Sequence, residues 1–164
     1  MHYWIDGYNF FFRVNQGEGK VKGQEEMLIE TLHEAQLVLG MEMTVVLDGK
    51  ERNPAEPLLR NVASLRIVYT PFHQTADRYI IDMLECRIKR VQTTVVSSDK
   101  ALLKLASENG ARVQTIEAFI QMILRKQGKK HRLAQEKKAP SSPPSEINRF
   151  LKIFEARLKK EIDI

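Results

Sequence analysis

The chain has 164 residues, of which 43% are hydrophobic and 29% charged, enough for one sizeable core under a well-solvated surface. A formal charge of +5 and an isoelectric point near 9.3 favour an anionic partner, and nucleic acid is the commonest one. A single cysteine, Cys86, excludes an internal disulfide and a cysteine-rich zinc site, and no apolar run approaches the ~20 residues of a membrane span.

The start, Met1 to Asp6, lacks the basic and apolar segments of a secretory signal, so a cytoplasmic location is expected. His2 to Asp6 reads as a short strand ending on an acid, and Asp6-Gly7-Tyr8-Asn9 as the turn after it. Phe10, Phe11 and Phe12 are expected in the core. Asn15 to Gly23 holds three glycines and two lysines and reads as a flexible basic loop. Gln24 to Leu39 predicts a helix, because Leu28, Leu32, Ala35 and Leu39 recur at helical spacing, with Gly40 as its cap.

Met43 to Leu47 predicts a buried strand that ends on Asp48-Gly49, and Lys50 to Asn61 a loop or short helix. Leu65 to Tyr69 predicts a strand, and Thr75 to Lys89 a helix that buries Cys86. Thr93 to Ser97 predicts a strand with Asp99 just beyond it. Lys100 to Glu108 is then a helix stopped by Asn109-Gly110, Arg112 to Gln114 a strand, and Ile116 to Lys126 a helix. Alternating strands and helices imply parallel strands with helices on both faces, and ligands then bind beyond the carboxyl ends of the strands.

Residues 127–145 are basic and then proline-rich, which reads as a linker. Residues 146–164 predict an amphipathic C-terminal helix whose stripe of Ile147, Leu151, Phe154 and Leu158 must be buried on the domain, another subunit or a partner. The expected division is therefore a domain over 1–126, the linker and the helix.

Asp6, Asp77 and Asp99 all fall at strand ends or helix starts on the expected carboxyl edge. Carboxylates gathered there repel one another unless a cation compensates. An oxygen-only donor set without cysteine or well-spaced histidine selects Mg²⁺ or Mn²⁺ over zinc. Each acid also has a local explanation: Asp99 as a helix N-cap, Asp77 as a helix-dipole partner. Asp48 is a candidate fourth acid, with a turn-forming Asp-Gly as the equal alternative. Gly19-Lys20 lacks the spacing of a phosphate-binding loop, so no nucleotide cofactor is expected. The four histidines are scattered, and His73 reads as a loop residue.

Asp6-Gly7-Tyr8-Asn9, Thr75-Ala76-Asp77 and Ser97-Ser98-Asp99, in that order, resemble the NYN domain of the PIN-like nucleases. With Gly110-Ala111-Arg112-Val113, the YacP-like branch is the nearest likeness, over residues 1–126. The resemblance implies a PIN-like three-layer α/β/α sandwich with a mainly parallel sheet and a metal-dependent endoribonuclease. Its implied substrate is mRNA associated with the ribosome. It also implies Asp6, Asp77 and Asp99 as metal-binding acids and Asn9 beside the metal. Arg78 departs from a family pattern that often has a second acid there, and it favours an alternative: a catalytically weak or inactive RNA-binding module of the same fold. Asp82 is expected to pair with Arg78 and, about 140° round the helix from Asp77, to stay off the metal. The expected RNA contacts are Tyr8, Lys20, Lys22, Arg78 and Lys100, with the basic run Arg125, Lys126, Lys129, Lys130 and Arg132. Phe72 is a further candidate for stacking on an unpaired base.

Overall fold

The computed structural model describes residues 1–15, 24–49, 57–86 and 92–135. Six strands form one sheet in the order β3-β4-β2-β1-β5-β6. They are β1 (His2–Asp6), β2 (Glu42–Leu47), β3 (Leu58–Val62), β4 (Leu65–Tyr69), β5 (Thr93–Val96) and β6 (Arg112–Gln114). Every neighbouring pair is parallel except β3 with β4, so the sheet is mainly parallel as expected. The helices are α1 (Gly7–Asn15), α2 (Gln24–Leu39), α3 (Ala76–Glu85), α4 (Lys100–Glu108) and α5 (Ile116–Gln135).

Alternation along β1 sorts the two faces. Tyr3 and Ile5 join a core made with Phe10 of α1, Leu28 and Leu32 of α2, and Phe119 and Ile120 of α5. Trp4 points the other way, into a second core with Ile80 and Ile81 of α3 and Leu102 of α4. Two helix layers therefore enclose the sheet, an α/β/α sandwich. The chain leaves β1 toward β2 and β4, then crosses back to β5 and β6 on the other side. That reversal puts the crevice of the fold at the carboxyl end of β1.

Several expectations are corrected. Gly7 opens α1 directly after β1 instead of forming a turn. The reason is Asp6, whose Oδ1 accepts a hydrogen bond from the Asn9 amide at 3.1 Å and so caps the helix. The three phenylalanines then lie on a helix, where consecutive residues step about 100° apart and do not share a face. Phe10 is buried, whereas Phe12 is 58% exposed. Residues 58–61, expected within a loop or short helix, belong to β3, an edge strand antiparallel to β4. Helix α3 ends at Glu85, and Cys86 is an exposed C-cap rather than a buried residue. Helix α5, expected over Ile116 to Lys126, continues to Gln135. Residues 136–164, which include the expected C-terminal helix, lie outside the described residues.

Gly7 marks a close approach. A Cβ there would lie 2.5 Å from Leu47 Cδ2 and 3.0 Å from the Val46 carbonyl oxygen. The leucine tip can move; the β2 backbone cannot. Gly7→Ala is expected to destabilise by about 1–3 kcal/mol through overpacking, which a thermal melt reads as a drop of several degrees.

Candidate functional site

Asp6 ends β1, 3% exposed, at the crevice. Burying a carboxylate is costly unless its oxygens are satisfied. Here Oδ1 takes the Asn9 amide, while Oδ2 accepts from Asn9 Nδ2 at 2.7 Å and from Ser97 Oγ at 3.3 Å. Asn9 thus orients Asp6. Ser97 follows β5, fully buried, and its Oγ accepts from the Asp99 amide at 3.0 Å. One hydroxyl joins the ends of β1 and the loop that carries Asp99. Its neighbour Ser98 has a buried Oγ without a protein partner among the described residues.

Asp99 is the N-cap of α4, its Oδ1 accepting from the amides of Ala101 at 2.7 Å and Leu102 at 3.2 Å. Asp48, just past β2, does the same for α3 from a distance in sequence: its Oδ1 accepts from the Ala76 amide at 2.6 Å. Gly49 and Thr70 pin that corner, the Gly49 amide donating to Thr70 Oγ1 at 3.0 Å. In both caps the bonded oxygen is Oδ1, and among the described residues Oδ2 has no hydrogen-bond partner. Thr75 caps α3 and brings Asp77 into its first turn.

Asp77 feels the charge of the other three acids. Burial, the charge of Asp6, a hydrogen bond with Asp6, and the charges of Asp99 and Asp48 push its pKa from 3.8 up to about 7. The crevice therefore gathers carboxylates from β1, β2, α3 and the start of α4 around a residue that holds its proton to neutral pH. Among the described residues, no three His, Cys, Asp or Glu side chains are arranged as ligands of one ion. The donor chemistry suits a hard divalent cation: oxygen atoms only, excess negative charge, and two acids with an oxygen to spare.

The other candidates separate clearly. Asp82 accepts from Arg78 Nη2 at 2.7 Å and from Gln74 Nε2 at 2.7 Å, so it is committed away from the acids and balances the Arg78 charge. Tyr8 is half-buried against the α1 side of the core, and Lys100 is exposed in the first turn of α4. His73 and Phe72 are exposed in the turn between β4 and α3. Lys126 donates from Nζ to the Leu39 carbonyl at 3.1 Å, capping the C-terminus of α2. Arg125 and Lys129 are exposed on α5. Lys20 and Lys22 lie outside the described residues, and Lys130 and Arg132 are described in backbone only. Ser97 had no role assigned from sequence; an apolar strand followed by Ser-Ser-Asp was its only signal.

This mostly parallel sandwich, with acids collected beyond its central strands, is a nuclease-type domain. The chain belongs to the YacP-like NYN domain family, whose model matches residues 3–160. The crystal structure of Rae1 (YacP) from Bacillus subtilis is similar at 17% identity with a TM-score of 0.64, over 99% of this chain and 90% of that one. A point mutant of the same protein gives 18% and 0.65, over 99% and 97%. At such identity the likeness speaks for the fold alone. No curated protein matches the chain. Among the described residues no helix is long and apolar enough to cross a membrane.

Proposed function

We propose that this protein is a divalent-metal-dependent endoribonuclease whose centre is the crevice at the end of β1. The observation that carries the reading is the convergence of Asp6, Asp48 and Asp99 on Asp77, which makes neutral-pH ionisation of Asp77 unfavourable without a cation. Asp6, Asp77 and Asp99 would hold Mg²⁺ or Mn²⁺, with Asp48 as a further oxygen donor. Such an ion supplies an acidified water and neutralises charge on the phosphate. The chain's own residues do the rest. Asn9 and Ser97 fix the Asp6 carboxylate in one orientation. Asp77 carries a proton that it releases when the site gains positive charge. RNA is the substrate in this reading, ribosome-associated mRNA the particular one that the family resemblance implies, and the cytoplasm the site of action.

A second reading keeps the fold and RNA but not the chemistry. It is favoured by Asp48 and Asp99 each already capping a helix. An end-labelled single-stranded RNA incubated with protein and Mn²⁺ or Mg²⁺ separates the two. Internal fragments that appear with metal and vanish with EDTA are expected. Binding without any cleavage in either metal would leave the RNA-binding module as the function.

A further inference from the structure

We infer that a groove along one face of α5 docks the RNA strand beyond the cleaved bond. This rests on the nuclease reading and adds a second contact region to it. Gln114, Gln121, Met122, Arg125 and Lys129 line a cavity of about 390 Å³, together with Ala118 and the stem of Lys126. Among the described residues no acid lines it.

Charge complementarity names the occupant. Arg125 and Lys129 stand four residues apart on α5, where like charges repel. The positions three and four residues either side of Arg125 are Gln121, Met122, Gly128 and Lys129, so no acid on the helix relieves the pair. A chain of phosphates does relieve it. Lys126 is different, because its ammonium group is committed to the Leu39 carbonyl. Among the described residues Arg125 and Lys129 have no carboxylate partner, and they line the groove with two amides and a thioether between them and the strand end. Amides and an apolar surface suit the edges and faces of unpaired bases, which points to a single strand.

The groove also starts at the carboxyl edge of the sheet, on which the acids lie. Gln114 closes β6, and its carbonyl accepts from the Ser97 amide at 3.3 Å, one residue's contact away from Asp6. From Ala118 to Lys129 the helix then rises ~16 Å. A strand held at the crevice and laid along α5 meets first Gln114, then Gln121, then the two cations.

The test compares the full-length protein with its Arg125→Ala/Lys129→Ala double variant. Affinity for a labelled single-stranded RNA of about 20 nucleotides is measured in EDTA across a salt series, and the steepness of log Kd against log salt is expected to fall by about 1.4 as two phosphate contacts are lost. In Mn²⁺ the KM for the same RNA is expected to rise about tenfold with kcat unchanged, since strand positioning outside the reacting centre is removed. If the wild type cleaves and the double variant matches it in slope and KM, the groove inference is overturned while the nuclease reading stands. The same holds if the double variant only melts earlier, for then the groove is filled by residues 136–164 or by a protein partner. If the wild type neither binds nor cleaves RNA, the nuclease reading itself fails.

Discussion

Asp6→Asn is expected to reduce metal-dependent RNA cleavage by about 10³-fold, the largest loss of any single substitution in this chain. Asp6 is the most buried of the four acids and stands where the strand order reverses, with β2 on one side and β5 on the other. Replacing it removes one charge from the site. It also sets an amide nitrogen against the donors Asn9 Nδ2 or Ser97 Oγ, at about 1–3 kcal/mol. A melt must therefore accompany the assay. Asp99→Asn provides the cleaner control, because asparagine caps helices as well as aspartate does. It should keep the two bonds from Ala101 and Leu102, melt close to wild type, and still cleave at least about tenfold more slowly. Wild-type rates in both variants would remove the acids from the chemistry.

The acids were legible in the sequence for a simple reason. Apolar, β-branched runs at Met43 to Leu47 and Thr93 to Ser97 announce parallel strands, and the residue after a parallel strand lies on the functional edge. What holds the acids was not legible. The bond from the Ala76 amide to Asp48 spans 28 residues, and the link from Ser97 to Asp6 spans 91. No local pattern encodes either.

Elements were missed where pattern and packing part company. Strand β3 is almost wholly exposed, so it has no alternation to betray it; backbone pairing with β4 forms it. Its connection to β4 uses Ala63 at φ +51°, where Gly or Asn is the usual signal. Residues 127–135 read as a linker because they are polar, yet Lys, Arg, Gln, Leu and Ala are strong helix formers, and α5 simply continues. A longer α3 would bury Cys86, but the helix ends at Glu85 and leaves it exposed.

Asp77→Asn is expected to act in opposite directions on stability and on activity. In the metal-free protein the folded Asp77 keeps its proton to about pH 7, whereas the unfolded chain releases it near 3.8. Below the lower value both states are protonated and the residue costs nothing. Between the two values the unfolded chain ionises first, so stability falls as pH rises. Above the upper value the penalty is complete, about 1–3 kcal/mol once solvent screening of a half-buried group is allowed for. Asparagine carries no such penalty. In EDTA the variant should therefore melt several degrees above wild type at pH 8, and the gap should close toward pH 4. Excess Mg²⁺ should raise the wild type at pH 8 by about 2–3 kcal/mol at a hundred times its Kd, and much less at pH 5.5, where a proton occupies the place of the ion. The variant should gain little from the metal at either pH and cleave RNA poorly at both. A wild-type melting curve that is flat from pH 4 to 8, and blind to Mg²⁺, would mean that the four carboxylates do not share one field.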